Sequence, residues 1–579
     1  MVKVVFGSEI SPPGGWRLHF SNSLQTHTAT RLDEVLPLLE FAETQAHLGH
    51  YVAIMISYEA GPAFDVALSA HAPSELPLAW VAVFREVSDC ETQGRGDWVS
   101  SVWTPKIDKN EYESAVTKIR ELIAAGDTYQ VNYSFPLIST FSEDPYQWYR
   151  ELCMAQGAQY CAYFDLGRFQ VLSLSPELFF ERRGDHVRTK PMKGTVRRGR
   201  WAAEDEELAQ WLQHSAKDRA ENIMIVDLLR NDLGKVSLPG SVHVSSMYQA
   251  ERYETVWQMT STVESTLRPQ TSVVELMSAL FPCGSITGAP KIRTTQIIRD
   301  LERFPRGVYT GALGVLFPGG DCVFNVAIRT VVIDRQTGAA TFGVGGGVTI
   351  DSTADKEYEE CLVKSRFLQS RPEEFELFET MLVEDDAIFL LERHLERLKR
   401  SAAYFGFEFK KEEILKMLNP IPSLTAKLKL SLRKDGRVEI EAVPLNHVDR
   451  SRVGLATAPV DSADRFLFHK TTRRDFYNTQ LQLQPHCDDI IFWNERGEIT
   501  ESTIANVVVS INDQLYTPPI DCGLLAGTFR DHLLAEGRIK ERVITIEELQ
   551  NAKQVFLINS VRKWMNAVCV NECSSVAQL

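Results

Sequence analysis

A chain of 579 residues, 44% hydrophobic and 24% charged, is ordinary globular material but too long for one hydrophobic core, so two or more domains are expected. A formal net charge of −15 excludes a general binder of nucleic acid or anionic membrane, because such partners demand a net basic surface. An acidic enzyme that binds an anion must therefore supply arginines, lysines, backbone N–H groups or a metal locally.

The opening residues, MVKVVFGSEISPPGGW, have no charged region leading into an apolar run, and no later stretch is apolar over the ~18 residues of a membrane span. A soluble, cytoplasmic protein is expected, with no membrane or nucleic-acid partner. Ten cysteines are scattered without a Cys-x-x-Cys pair, Cys569 and Cys573 standing closest, so neither a disulfide frame nor a structural zinc site is expected.

In chain order, residues 111–125 space their apolar positions as a helix and stop at Gly126, after which VNYSFPLIST alternates as a strand. Similar alternations recur in VLSLSPELFFERR, VYTGALGVLF and FNVAIRTVVID, with long helical patterns around 201–232 and 287–304. Two acidic pairs stand out. Asp218 and Glu221 lie three apart on a helical pattern, as do Glu357 and Glu360, so each pair shares one helix face. Together they can hold a hard cation such as magnesium, which takes a few carboxylates plus water and substrate oxygens; taken singly, each reads first as a solvated acidic face, since such pairs are common. A boundary is expected near Ser370-Arg371-Pro372-Glu373-Glu374, where a helical pattern ends at a proline. This divides the chain into domains 1–369 and 375–579 with linker 370–374, in an α+β fold.

The segments GDTYQVNYS (126–134), SPELFFE (175–181), PMKGT (191–195), AENIMIVDLLRNDLG (220–234), FPCGSITGAPKIR (281–293), YTGALG (309–314), AIRT (327–330) and GVGGG (343–347) occur in the order of the chorismate-utilising enzymes, which the first half resembles. The resemblance implies two β-sheets flanked by helices with the site between them. It also implies magnesium on Glu221 and Glu360, supported by Asp218 and Glu357, and a carboxylate-binding set of Tyr309, Arg329, Lys364 and the amides of Gly345 and Gly346. Gln130 stands where isochorismate-forming members have a lysine that activates water, so water is not the expected nucleophile. Lys193, followed by Gly194 and Thr195, stands where anthranilate synthases have alanine, which is the pattern of aminodeoxychorismate synthases. A neutral Lys193 can attack C2 of chorismate and expel the C4 hydroxyl, leaving an intermediate that ammonia opens at C4. Gln258 occupies the place of a histidine found in many members and cannot donate an imidazolium proton, so the acid stays unassigned. No Gly-x-Cys-x-Gly nucleophile of a glutamine amidotransferase is present, and a separate glutaminase subunit is expected to deliver the ammonia.

From Phe375 to about Val568 the chain resembles the fold-type IV pyridoxal phosphate enzymes, two-part α/β domains that include aminotransferases and aminodeoxychorismate lyase. The matching pieces are FETMLVEDDAIFLLERHLERLKRSA, FHKTTRRDFY, ITESTIANVVV and GLLAGTFRDHLL. The resemblance implies that Lys470 attaches the cofactor and that Glu501 holds the pyridinium nitrogen. It also assigns phosphate to Arg397 with Gly527 and Thr528, and ring orientation to Tyr477 or Asn506. A homodimer through this domain is expected by analogy with the fold type. These residues alone do not separate a transaminase from a lyase. Fusion to the first half favours a lyase that releases pyruvate from 4-amino-4-deoxychorismate to give 4-aminobenzoate, a folate precursor. The alternatives are an anthranilate- or isochorismate-type synthase joined to a branched-chain or D-amino acid aminotransferase-like domain, and a synthase with a non-catalytic C-terminal module.

Overall fold

The periods read from the sequence become elements close to their expected places in a computed structural model of the chain, which describes residues 2–7, 16–88, 101–369, 374–419, 425–445 and 452–569. Most of the expected linker, Ser370 to Glu373, lies outside the described residues. The chain divides into two units, Met1–Arg197 with Ala209–Pro372, and Arg198–Leu208 with Glu373–Leu579. The second therefore includes a short segment that chain order places deep inside the first half.

The first helix–strand pair illustrates the local logic. Asp108 caps the helix Lys109–Ala124 by accepting from the Glu111 amide at 2.9 Å, while Glu111 reaches back to the Asp108 amide. Tyr112, Ala115, Val116 and Ile119 then bury one face, and the chain returns as the strand Gln130–Thr140. The long pattern around 201–232 becomes two helices, Ala202–His214 and Ala216–Gly234, the second capped by Ser215. The pattern around 287–304 shortens to Lys291–Leu301 with Pro290 as its cap residue, because proline has no N–H to give a preceding turn.

Described strands of the first unit form a nine-stranded and a ten-stranded sheet. Two segments with one continuous alternation each split between them. VLSLSPELFFERR becomes Phe169–Ser175 in the nine-stranded sheet and Leu178–Arg183 in the ten-stranded one; Pro176 breaks the ladder because it cannot donate. FNVAIRTVVID passes the opposite way, from Cys322–Val326 to Thr330–Asp334, with Arg329 at φ +49° in the passage. The two crossings are tied together: Ser175 Oγ donates to the Val326 carbonyl at 2.6 Å and the Val326 amide to the Glu177 carbonyl at 3.1 Å. Buried apolar clusters on both sheets, including Phe180 with Phe324 and Phe135 with Phe342, hold the crossings in place by burial.

In the second unit a four-stranded sheet containing Leu377–Glu384 packs its odd-numbered residues with the helix Leu391–Phe405. An eight-stranded sheet contains Ile499–Ser502 and Asn506–Ile511.

Candidate active sites

In the first unit, Lys193 lies on the strand Met192–Arg197 of the ten-stranded sheet. Gly194, at φ +90°, lets that strand approach the Asp218 helix so closely that a Cβ there would lie 2.9 Å from Asp218 Cβ. From the nine-stranded sheet comes Gly347, where a Cβ would lie 3.0 Å from Lys193 Nζ and 2.8 Å from Gln130 Nε2. The lysine amine and the Gln130 amide thus face one small space that glycine keeps open. Gln130 is fully buried with neither amide atom hydrogen-bonded, an arrangement costly unless a ligand completes it. Burial drives the Lys193 pKa down; Glu221 and Glu177 oppose it and Lys364 adds to it. A larger neutral fraction is the form a nucleophile needs.

The other cations of the site are Arg329, in the second crossing, and Lys364, at the end of the helix Ala354–Val363. Arg329 is buried and donates to Gln156 Oε1 at 2.5 Å, and among the described residues no carboxylate is paired with it. Lys364 donates to the Gly345 carbonyl at 2.8 Å and pairs with Glu360 at 2.9 Å. The Tyr309 ring lies against Gly343, where a Cβ would be 2.2 Å from its Cγ. Thr195 donates to Gln258 Oε1 at 3.0 Å, so Gln258 fastens the Lys193 strand. Gly346 sits beside Glu357, whose Oε2 would be 3.0 Å from a Cβ.

The four expected metal ligands fall on two helices, Ala216–Gly234 and Ala354–Val363. Burial raises the pKa of Glu221 and of Glu357, and neighbouring carboxylates raise both further. Glu360 is lowered, chiefly by Lys364. Among the described residues no three such groups converge on a point that a cation would occupy. Asp218 is instead bonded to Ser215, Glu357 to Ser352 and Glu360 to Lys364.

One carboxylate of this unit had no role assigned from the sequence. Glu177, at the first sheet crossing, is buried and accepts from Ser285 Oγ at 2.6 Å. Burial pushes its pKa up to about 7 against opposing pulls from Ser285 and Lys193. The available signal was an acid between Pro176 and a run of apolar residues, a pattern that places a carboxyl where water is scarce.

In the second unit, half-buried Lys470 has its Nζ 4.7 Å from the Phe378 ring centroid. Burial, aided by Arg397 and Arg474, lowers its pKa to about 8. Glu501 accepts from Tyr477 Oη at 2.8 Å and from the Leu525 amide at 3.3 Å, and burial raises it to about 7. Such a carboxyl is suited to a cationic ring nitrogen, which would draw it back to the ionised form. Arg397, expected on phosphate, gives two nitrogens to Glu379, at 2.9 and 2.6 Å, and one to the Ala526 carbonyl at 3.1 Å. Its fork is thus largely engaged by a carboxylate that sequence reading left without a role. Asn506 braces the turn before Gly527: its Nδ2 donates to the Leu525 carbonyl at 2.8 Å, and a Cβ on Gly527 would lie 2.1 Å from its Oδ1. Gly527 and Thr528 open the helix Thr528–Ala535, presenting the N–H groups and positive dipole end that a phosphate requires. The donor set, the glycine cradle and the Lys470 amine fit pyridoxal phosphate.

Residues 89–370 match the family model described as chorismate binding enzyme, and residues 376–568 the one described as amino-transferase class IV. The chain is 33% identical over 332 residues to aminodeoxychorismate synthase component 1 of Salmonella typhimurium, 57% of this chain and 68% of that protein. The chain belongs to the chorismate-binding enzyme family. Behind that part it carries a class IV aminotransferase domain, a fold that implies pyridoxal phosphate. Aminodeoxychorismate synthase component 1 of Bacillus subtilis is 38% identical over 296 residues, 51% of this chain and 62% of its own length, so the match spans less than two thirds of that relative. The crystal structure of anthranilate synthase component I from Streptococcus pneumoniae shares the family fold, with TM-score 0.54 and 24% identity over 62% of this chain and 93% of that one.

Proposed function

We propose that the chain makes 4-aminobenzoate from chorismate in two steps, amination at C4 in the first unit and pyruvate elimination in the second. The observation that carries this reading is the half-buried Lys193, its pKa driven down by desolvation, sharing one space with the unpartnered Gln130 amide and lying within the field of Glu177.

Arg329 and Lys364 with the Gly345 and Gly346 backbone receive the substrate carboxylates, and Tyr309 walls the ring. Lys193 Nζ attacks C2, both conjugated ring double bonds shift by one position, and the C4–O bond breaks. Glu177, holding a proton near pH 7, delivers it to the departing hydroxyl, which leaves as water. Ammonia then forms a bond to C4, both double bonds return, and the C2–N bond breaks to release Lys193. Glu221 and Glu360 would hold magnesium, with Asp218 and Glu357 supporting them. Two protein carboxylates suffice when water and substrate oxygens complete the shell, and the ion would neutralise a substrate carboxylate. A separate glutamine amidotransferase supplies the ammonia, in keeping with the relatives' designation as component 1.

In the second unit, bound pyridoxal phosphate would supply an electron sink for breaking the C–H bond beside the substrate amine. Glu501 would hold the ring nitrogen, with Tyr477 Oη donating to its carboxylate. The Gly527 and Thr528 amides, with Arg397 beside them, would hold the phosphate. Lys470 takes the C4 proton, the C3–O bond breaks as the ring becomes aromatic, and that proton returns to the enolpyruvate carbon to give pyruvate. We further place a homodimer through this unit and a cytoplasmic setting in the proposal; no described helix is long and apolar enough to cross a membrane.

Incubating the full chain with chorismate, magnesium and ammonium, with and without pyridoxal phosphate, tests both halves. The expected result is 4-amino-4-deoxychorismate without the cofactor and 4-aminobenzoate plus pyruvate with it. A 2-amino product or isochorismate overturns the first assignment, and amination without pyruvate in the presence of cofactor overturns the second.

A further inference from the structure

Lys470 owes its position to what holds the backbone on either side of it. Downstream, Phe378 N donates to the Lys470 carbonyl at 3.0 Å and Thr472 N to the Glu376 carbonyl at 3.0 Å, fastening the chain to the strand Leu377–Glu384. Upstream, the anchor is the segment Arg198–Leu208, which belongs to this unit although chain order separates it from the rest.

The contacts are specific and buried. Arg198 and Asp205 form a two-pronged ion pair, Nε to Oδ1 at 2.8 Å and Nη2 to Oδ2 at 2.7 Å, with side chains only 4% and 8% exposed. The Arg198 guanidinium lies 4.4 Å from the centre of the Tyr404 ring, and Tyr404 Oη donates to the Gly199 carbonyl at 2.6 Å. Tyr404 also packs on His469, ring centres 4.4 Å apart, and His469 Nδ1 shares a 2.9 Å hydrogen bond with Ser401 Oγ. Trp201 covers Phe468 at 5.0 Å between ring centres. Both residues immediately before Lys470 are thus gripped by the segment or by side chains it braces. Burial takes the His469 pKa down to about 3, against a smaller opposing pull from the Arg200 carbonyl, so the ring packs as a neutral group throughout the physiological range.

The same helix face reaches the other end of the site. His394, Arg397, Ser401 and Tyr404 follow one another on successive turns of Leu391–Phe405. The first two bind Glu379 and approach Thr528 and Ala526, and the last two meet His469 and Gly199. One rigid element joins the candidate phosphate cradle to the segment.

We propose that Arg198–Leu208 is a positioning element of the Lys470 site, holding Phe468 and His469 so that the amine following them is presented at a fixed point and kept from water. The inference rests on the reading of Lys470 as the residue that takes pyridoxal phosphate. None of Arg198, Trp201, Asp205 and Tyr404 touches the reacting atoms in this proposal; they act through the backbone at 468–469.

Two full-chain variants test it: Tyr404→Phe, which deletes only the hydroxyl that holds Gly199, and Trp201→Ala, which uncovers Phe468. The first readout is the pH profile of Lys470 acetylation in chain stripped of cofactor, followed by mass spectrometry of its peptide. The wild-type midpoint is expected near 8, and in the variants it moves up towards an ordinary lysine as water enters. The second is pyridoxal phosphate affinity from its bound absorbance, expected to weaken about fivefold in Tyr404→Phe, the usual worth of one hydrogen bond. Trp201→Phe should restore both readouts. A wild-type acetylation profile and wild-type affinity in both variants overturn the positioning role. Should Trp201→Ala lose its far-ultraviolet dichroism, Tyr404→Phe alone decides. A wild-type chain that takes up no pyridoxal phosphate defeats the cofactor reading instead, and the acetylation profiles still decide for or against the segment.

Discussion

Replacing Glu177 by glutamine separates a buried proton donor from an ordinary carboxylate by its effect on stability. The carboxyl titrates near 7 in the folded chain against 4.5 for an unperturbed glutamate. Well below pH 4.5 both states hold the proton and the shift costs nothing. Between 4.5 and 7 the unfolded state ionises while the folded one stays protonated, so stability falls with rising pH, and above 7 the full penalty applies. Two and a half pKa units at 1.36 kcal/mol each make that penalty about 3 kcal/mol. Glutamine has the same shape, stays neutral, and still offers an oxygen to Ser285 Oγ. Glu177→Gln should therefore be near-neutral at pH 4.5 and stabilise the first unit by about 3 kcal/mol at pH 8, while amination collapses. Hydrogen exchange under denaturant in peptides covering Leu172–Phe180, wild type against variant at each pH, reads the difference. A stability difference that does not grow between pH 4.5 and 8 would show that the carboxyl ionises normally and cannot be the acid at neutral pH.

Lys193→Ala should remove ammonia-dependent amination while pyruvate release from supplied 4-amino-4-deoxychorismate persists; chromatography of both products checks it. Lys470→Ala should do the reverse, leaving amination intact and abolishing pyruvate release in a coupled dehydrogenase assay. Gly347→Ala puts a methyl group against Lys193 Nζ and Gln130, and a misplaced nucleophile should lower the amination kcat about a hundredfold with little change in thermal unfolding. Glu360→Gln should raise the magnesium concentration for half-maximal amination about tenfold, and an unchanged magnesium titration would remove this residue from the metal proposal.

Much of this was legible because local spacing survives folding. Three-residue spacing puts Asp218 with Glu221, and Glu357 with Glu360, on single helices, and the helix observed at Lys109–Ala124 ends within a residue of the expected stop. Sheet crossings are different. A strand alternation looks the same whether its residues pair in one sheet or two, so the placing of Glu177 and Arg329 between sheets depended on partners far away in sequence. Arg397 presents a similar case: a cation in a matching context predicts an anion, but not that Glu379 would occupy much of its fork. The four acidic residues share a region without converging, because spacing along a helix fixes the face and not the rotamer.

The segment Arg198–Leu208 also bears on synthesis at the ribosome. Tyr404, which holds Arg198 and Gly199, is encoded 206 and 205 residues later. At 5–20 residues per second, this part of the nascent chain waits roughly 10–40 s for its partner, with Trp201 and the Arg198–Asp205 pair deprived of cover. A domain that simply followed another along the chain would face no such delay. Here the second unit completes itself by reaching back to residues made well before it, so the long interval in which Trp201 lacks Phe468 is the misfolding hazard this topology creates.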